Sequence, residues 1–518
     1  MSEQHEKEER PSRWMAGLFS AAILVYTLFM YGGIRSPDSE IVFRTSESLA
    51  IRHTFAVPEK LAAWPQFGLP KGRDGRRYSV FGPGEALAAM PLVKLGLWLE
   101  QKGIGTHAAW VAPSRYHGKG PGRAMRQNAA ANPTPHFLRF VASFLSVFAC
   151  AGCVIVFFAI GRLLTGSSRA AGYAATLFAF ASLLLPYAGD FFSEPLAMLF
   201  VLTALHALVS NDVQPGAARR ALERLAVAGT ALGAAITVHI TAILFVPFFG
   251  IYALWVLRRA GHSSARLAAG AAAFGAGIAL ALGVLGYHNL TRFGSVLETG
   301  RSADPAMVYA TLTNPWISLS GMIFSSGKGL LWYCPLAIFS VLWWRPFHRR
   351  HRALSWMIIT ATIFRMVFIA CRSDWHGGFC LGPRLLLLAV PLWLLPLAEH
   401  IRLLMQPGTD RRQARLLFAA AVICAAGQIY FALGEIFDYF LRVNLAGILD
   451  GINVFTDNYI YFGWDVSPLF YLLAGRRGPV LLQQVPLSNP ALWLVLTAAA
   501  ALLLHLVHRR VLGRTARR

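Results

Sequence analysis

Residues 14–40 read WMAGLFSAAILVYTLFMYGGIRSPDSE, and this stretch decides the fold. The run from Trp14 to Ile34 holds no charged residue and is long enough to cross a bilayer as a helix, which takes roughly 20 residues. Asp38 and Glu40 follow, so two carboxylates emerge at the membrane surface opposite the basic N-terminal segment. Acidic side chains at this depth are costly unless they serve a function. They are therefore the first candidates for a catalytic base.

The overall composition also indicates a membrane protein. Hydrophobic residues make up 56% of the 518 residues and charged residues only 14%, whereas soluble domains are nearer 25% charged. The net charge of +23 does not indicate nucleic-acid binding, because the chain has no zinc-finger spacing, basic helix or RNA-binding fingerprint. We therefore predict an all-α polytopic membrane protein that forms one transmembrane domain.

Further uncharged runs predict the remaining spans. The run Leu225–Leu257 is too long for one helix, so it predicts a hairpin that turns near His239. The sequence thus predicts about twelve spans, at 14–34, 140–161, 170–189, 195–211, 225–257 (two spans), 267–287, 329–344, 353–371, 385–398, 416–434 and 490–508.

The distribution of basic residues predicts the orientation. Lys and Arg collect on the cytoplasmic side of short loops, and the segments placed inside by this rule hold about half of the chain's 48 Lys and Arg residues. Both termini are then cytoplasmic, and the long segments 35–139, 288–328 and 435–489 lie outside. The resulting divisions are the N-terminus 1–13, a transmembrane core 14–434, an outer segment 435–489, and a last span with a basic tail at 490–518.

The first outer segment should contain two helices outside the membrane core. Ile41–Ile51 is weakly amphipathic, and Gly84–Leu99 is apolar enough to lie at the membrane interface. Gly118–Pro135 has the composition of a linker. Cys371 and Cys380 both fall on the outer side, where a disulfide is one of two possible states.

The outer loops collect polar residues suited to group transfer from a lipid phosphate. A carboxylate can deprotonate an acceptor hydroxyl, a cation can bind the departing phosphate, and an aromatic ring can stack on a sugar. The candidate catalytic carboxylates are Asp38, Glu40, Asp190 and Glu194. The candidate phosphate-binding cations are Arg292 and Lys328, which close the two ends of one outer segment, and then Arg365 and Arg384. The candidate substrate-binding side chains are Tyr78, Trp375 and His376.

Each of these residues also has a purely structural interpretation. Asp38 is a suitable N-cap, and Glu194 before Pro195 is typical of a helix start. Arg384 and Lys328 are placed to reach lipid headgroups. No metal site or required cofactor is predicted, and the need for a divalent metal is left open.

The order of these residues resembles the bacterial integral-membrane glycosyltransferases of the GT-C superfamily, in the branch of protein O-mannosyltransferases and lipid A aminoarabinose transferases. The resemblance runs through most of the chain. It rests on Asp38 and Glu40, Arg77–Gly84, Ser193–Pro195, Asn289–Gly294, Gly327–Leu331 with Pro335, and Trp375–Arg384.

The resemblance implies a GT-C-like fold, a polyprenyl-phosphate sugar as donor, transfer with inversion, and Asp38 as the catalytic base. The acceptor would be a glycan, lipid or protein outside the cytoplasm, and the location a bacterial inner membrane. Many relatives carry an Arg near the end of the fifth span, where this chain has His239. Either that phosphate contact is lost or Arg365 supplies it.

Two readings without transferase activity compete with this one. A lipid-linked sugar flippase would need charges along a route through the membrane centre, whereas the charges here gather at one outer surface. A structural or assembly subunit would not need Asp38.

Overall fold

The computed structural model describes residues 11–30, 34, 36–58, 68–104, 136–302, 313–409, 411–434, 436, 439–440 and 458–472. Within them the chain is almost wholly helical, and the predicted all-α class is confirmed. The helices are α1 Pro11–Leu28, α2 Pro37–Arg52, α3 Pro83–Gln101, α4 His136–Thr165, α5 Ser168–Phe180, α6 Leu184–Ala188, α7 Ser193–Val213, α8 Ala218–Val238, α9 Val246–Arg259, α10 Ser264–Phe293, α11 Pro315–Phe324, α12 Leu330–Tyr333, α13 Pro335–Ser340, α14 Trp344–Arg350, α15 Arg352–Ala370, α16 Val390–Leu394, α17 Pro396–Leu404, α18 Arg411–Leu433, α19 Tyr459–Phe462 and α20 Pro468–Tyr471. Short 3₁₀ helices cover Ile240–Phe245, Val341–Trp343 and Arg384–Leu386.

Seven helices of the described part are long and apolar enough to cross a membrane. They are Phe137–Thr165, Ser193–Val213, Ala218–Val238, Ile240–Arg259, Ser264–Phe293, Arg352–Ala370 and Arg411–Leu433. Two of them lie in the predicted hairpin of residues 225–257. They are separated at His239, whose φ of −142° and ψ of 101° are extended, so the prediction of two helices there is confirmed.

The predicted count of about twelve spans is not reached among the described residues. The predicted spans 170–189, 329–344 and 385–398 are broken into short helices. In the last two, prolines stand in the first turn of the new helices, at Pro335 and Pro396. Proline has no N–H and clashes with the preceding turn, so it begins a helix more readily than it continues one. The predicted span 490–508 lies outside the described residues.

Glycines bring α8 and α10 into backbone contact. A Cβ atom on Gly229 would lie 1.9 Å from the carbonyl oxygen of Phe274, and one on Gly277 would lie 2.3 Å from the backbone nitrogen of Thr230. Small residues permit this close packing between membrane helices. The contact fixes the middle of α8 against α10.

The described part of the first predicted outer segment packs on the membrane helices. The predicted helices 41–51 and 84–99 are confirmed as α2 and α3, which pack on each other, and α3 also packs on α4. Between them a short antiparallel ribbon, not predicted, pairs β1 (Ala56–Val57) with β2 (Arg77–Tyr78). Every residue from Ile41 to Leu49 is buried, so the middle of α2 is enclosed by protein on all sides. The predicted linker 118–135 lies outside the described residues.

The bend before α3 holds that helix against α8. Gly82 is the N-cap residue of α3 and Pro83 starts the helix. A Cβ atom on Gly82 would lie 2.2 Å from the carbonyl oxygen of Thr237, and one on Gly84 would lie 2.6 Å from its Oγ1. Glycine is therefore required here for close approach. The φ of Gly82 is an ordinary −64°, so the constraint is steric and not conformational.

We expect Gly82→Ala to lower the free energy of unfolding by about 1–3 kcal/mol, the usual range for overpacking. Gly275→Ala in α10 is the matched control, because a Cβ atom there meets nothing within 4 Å. Thermal unfolding of both variants in detergent checks this. Equal stability of the two variants would show that α3 does not press on Thr237.

Candidate active site

Asp38 lies in the first turn of α2. The N-cap residue of that helix is Ser36, followed by Pro37, so Asp38 is not the cap. A carboxylate in a first turn is favoured by the positive end of the helix dipole. The backbone therefore presents Asp38 at the start of a helix, with its side chain only partly buried.

Arg384 joins two of the predicted carboxylates. Its Nη2 donates a hydrogen bond to Asp38 Oδ2 at 3.1 Å, and its Nε lies 3.2 Å from Glu194 Oε1 as a close ion pair. The guanidinium carbon is 4.6 Å from the centroid of the Phe192 ring. The arginine comes from the 3₁₀ helix Arg384–Leu386, and the carboxylates come from the first turns of α2 and α7. Three segments distant in sequence thus converge on one guanidinium.

The charges of this cluster are not evenly balanced. Burial acts to lower the pKa of Arg384, but the carboxylates of Glu194 and Asp38 outweigh it and raise that pKa above its ordinary value. Arg384 therefore keeps its charge. Glu194 is 1% exposed, and within the described part of the chain its Oε2 has no hydrogen-bond partner. One arginine thus meets two acidic groups, and one oxygen of Glu194 remains without a donor among the described residues.

Glu40 is placed differently from Asp38. Arg139 donates to both of its oxygens, at 2.9 and 2.7 Å, and Arg44 donates to Oε1 at 2.9 Å. Burial acts to raise the pKa of Glu40, but Arg139 and Arg44 outweigh it and lower that pKa to about 2. A carboxylate held in this way is a weak base, so the contacts of Glu40 are those of a structural ion pair between α2 and α4.

The two cations ranked first in the sequence analysis contact protein groups. Arg292 donates to the carbonyl oxygens of Ser79 and His288 and to Asn289 Oδ1. Lys328 donates from Nζ to the carbonyl oxygens of Gly378, at 2.9 Å, and Cys380, at 2.7 Å. Their partners belong to different segments, and their bracketing of one phosphate stays a prediction.

Arg365 lies beside the break at His239. Its Nη1 donates to the carbonyl oxygen and to the hydroxyl of Thr241, both at 3.0 Å, and its Nε and Nη2 donate to the carbonyl oxygen of Leu385. It is also close enough to Glu194 for the two charges to interact. A cation therefore stands next to His239, and its contact with a donor phosphate stays a prediction.

The remaining predicted residues are buried side chains. Tyr78 donates from its hydroxyl to Asp74 Oδ2 at 2.7 Å. Trp375 and His376 pack on Tyr461, and the His376 Nδ1 lies 2.8 Å from its hydroxyl oxygen. Asp190 is also buried, at 6% exposure. The roles of Tyr78, Trp375 and His376 in substrate binding, and of Asp190 in catalysis, stay predictions.

Two further predictions concern cysteines and metals. Cys371 and Cys380 are free thiols, so the optional disulfide between them is not formed. In the described part of the chain, no group of three His, Cys, Asp or Glu side chains is arranged to hold a metal ion.

One residue of this region was missed in the sequence analysis. Glu85 lies in the first turn of α3, is 3% exposed, and interacts electrostatically with Glu194, Arg384 and Asp38. The available signal was a single glutamate directly after the Gly-Pro-Gly bend, at the start of a helix that is otherwise nearly free of charge.

Comparisons with known proteins were made by family model, by curated sequence and by structure. No family model and no curated protein matches the chain. Among solved structures, the chain is similar to ArnT of Cupriavidus metallidurans, an aminoarabinose transferase, in a structure bound to undecaprenyl phosphate. The two chains are 14% identical, the match covers 97% of this chain and 78% of that chain, and the TM-score is 0.49. The chain is also similar to the oligosaccharyltransferase AglB of Archaeoglobus fulgidus, in complex with an inhibitory peptide and a dolichol-phosphate, with 12% identity, 81% and 56% of the two chains covered, and a TM-score of 0.45.

We expect Glu40→Gln to lower the free energy of unfolding by about 3–5 kcal/mol at neutral pH, the usual result of breaking a buried ion pair. The pKa of Glu40 is lowered from 4.5 to about 2 on folding. Its stabilisation is therefore present above pH 4.5 and is lost as the pH falls towards 2. Unfolding of both proteins at several pH values should show their stabilities converging in acid.

The matched control is Glu223→Gln. Glu223 pairs with Arg219 at the surface, where the two side chains are 60% and 92% exposed, and such pairs contribute at most about 1 kcal/mol. If Glu40→Gln were as stable as this control and yet inactive in sugar transfer, Glu40 would be a catalytic group and not a structural one.

Proposed function

We propose that this protein is a membrane glycosyltransferase that moves a sugar from a polyprenyl-phosphate donor to an extracytoplasmic acceptor, with Asp38 as the general base. The observation that carries the proposal is the Arg384 guanidinium held between Asp38 and Glu194. This contact joins a candidate base, Asp38, to a candidate phosphate ligand, Arg384. The two carboxylates stand in the first turns of α2 and α7.

The chemistry of this arrangement suits transfer from a phosphate. An arginine offers a planar fork that matches phosphate oxygens. When a donor phosphate binds to Arg384, it competes with Asp38 for the guanidinium, and Asp38 becomes a better proton acceptor. The acceptor hydroxyl then gives its proton to Asp38, and its oxygen forms a bond to the anomeric carbon. The bond from that carbon to the phosphate oxygen breaks, and the polyprenyl phosphate leaves with its developing charge facing Arg384.

Asp38 is preferred over Glu40 as the base because of their partners. Asp38 meets one Nη2 group at 3.1 Å, whereas Glu40 accepts three hydrogen bonds from two arginines. Arg384 becomes the first candidate for the donor phosphate because it contacts the proposed base. Arg365 is the second candidate. Arg292 and Lys328 then hold the outer segments around the site through carbonyl oxygens.

The setting of the proposed reaction follows from the charge distribution. Asp38 belongs to the first predicted outer segment and Arg384 to the outer end of a later predicted span, so the site opens outside the cytoplasm. The protein would be a multi-pass protein of a bacterial inner membrane with both termini cytoplasmic.

We expect Asp38→Asn to reduce transfer by about two to four orders of magnitude, because it removes the base while keeping the size of the side chain. The measurement is transfer of labelled sugar from a panel of undecaprenyl-phosphate sugars to membrane extracts. Asp212→Asn is the matched control, since Asp212 pairs with Tyr252 and Arg259 on the predicted inner side, and it should keep its activity.

Near-normal transfer by Asp38→Asn would contradict the assignment of the base. If the intact protein transferred no sugar but moved lipid-linked sugar across vesicle membranes, the flippase reading would replace the enzyme.

A further inference from the structure

Glu85 is an acidic residue with no apparent structural purpose. Its Oε1 is buried and, within the described part of the chain, has no hydrogen-bond partner. Its neighbours on the inner face of α3 are Ala86, Ala89 and Val93, all buried. A buried polar atom without a partner costs free energy, so a purely structural position would favour an apolar side chain.

The location of Glu85 is fixed tightly. The bend at Gly82 and Gly84 presses the first turn of α3 on Thr237, and Glu85 follows directly. The backbone that carries Glu85 is therefore held against α8.

The surroundings of Glu85 determine its charge. Burial raises the pKa of Glu85 well above its ordinary value, the neighbouring carboxylates of Glu194 and Asp38 raise it further, and Arg384 acts in the opposite direction. The protonated form of its carboxyl group is therefore favoured. In that form it both donates and accepts a hydrogen bond.

We propose that the carboxyl group of Glu85 hydrogen-bonds to a hydroxyl group of the sugar being transferred and so helps to hold the donor in the site. The inference rests on the proposed function. A sugar hydroxyl also both donates and accepts, so the two groups are complementary. A second anion is a poorer occupant, because Asp38 and Glu194 already place negative charge beside Glu85.

The test compares three variants on the same helix. Glu85→Gln keeps an uncharged group that donates and accepts, and should leave the KM for the donor within about two-fold. Glu85→Ala removes the contact and should raise that KM about five- to ten-fold, the effect of losing one hydrogen bond. Glu100→Gln is the control. Glu100 lies roughly 22 Å from Glu85 along the same helix, and its variant should leave the donor KM unchanged.

The pH dependence of the donor KM distinguishes a contact with the sugar from a merely structural role, because a structural role would not change it. In the intact protein the donor KM should rise as the pH increases through the raised pKa of Glu85, because the ionised carboxylate no longer donates. Glu85→Gln should lack this rise.

Binding of undecaprenyl phosphate without a sugar, compared with undecaprenyl-phosphate glucose, mannose and arabinose, completes the experiment. Glu85→Ala should weaken binding of at least one sugar-bearing lipid and leave the bare lipid phosphate within about two-fold. Equal effects on both kinds of lipid, or no effect of Glu85→Ala on either, would overturn the role of Glu85. A kcat loss in Glu85→Gln with unchanged KM would also overturn it, by showing that the ionised form acts. If the intact protein transfers no sugar, the proposed function fails instead, and the binding comparison still decides whether Glu85 contacts a sugar.

Discussion

The buried pairing of Arg384 with Asp38 and Glu194 is the interaction on which the rest of the structure depends. Charges removed from water are expensive, and they are tolerated only when opposite charges and hydrogen bonds meet them at short range. Here the compensation is shared by α2, α7 and the 3₁₀ helix Arg384–Leu386. If one of these elements moved, at least one buried charge would lose its partner. The same pairing places a proton acceptor and a phosphate ligand side by side.

The packing around the pairing explains why these elements stay together. Glycines let α8 touch α10 backbone to backbone, and Gly82 and Gly84 let α3 rest on the end of α8 at Thr237. Arg365 ties α15 to Thr241 and Leu385, and Glu40 ties α2 to Arg139 of α4. The charged residues outside the pairing therefore serve mainly to hold the outer segments around it.

The sequence patterns predicted the positions of the helices more accurately than they predicted the side-chain contacts between helices. Uncharged runs located the membrane helices and the break at His239, because helix length and apolar composition are local properties. The same runs wrongly predicted single long helices at 329–344 and 385–398, where prolines begin new short helices. Partners of charged residues could not be predicted, because Arg384 and Asp38 meet across hundreds of residues. Glu85 was overlooked, since its burial depends on how α3 packs and not on its neighbours in sequence.

The most direct test of the account is the affinity of the membrane-embedded protein for undecaprenyl phosphate. Arg384→Gln alone would leave Glu194 unpaired, so the double variant with Glu194→Gln removes both charges of that pair and leaves the net charge of the site unchanged. Arg402→Gln is the control, since Arg402 pairs with Glu399 on the predicted inner side. A charge-assisted contact is worth about 1.5–3 kcal/mol, so we expect the double variant to bind roughly ten- to a hundred-fold more weakly and the control to bind normally. Unchanged affinity in the double variant would contradict the account, because the phosphate would then bind away from Arg384.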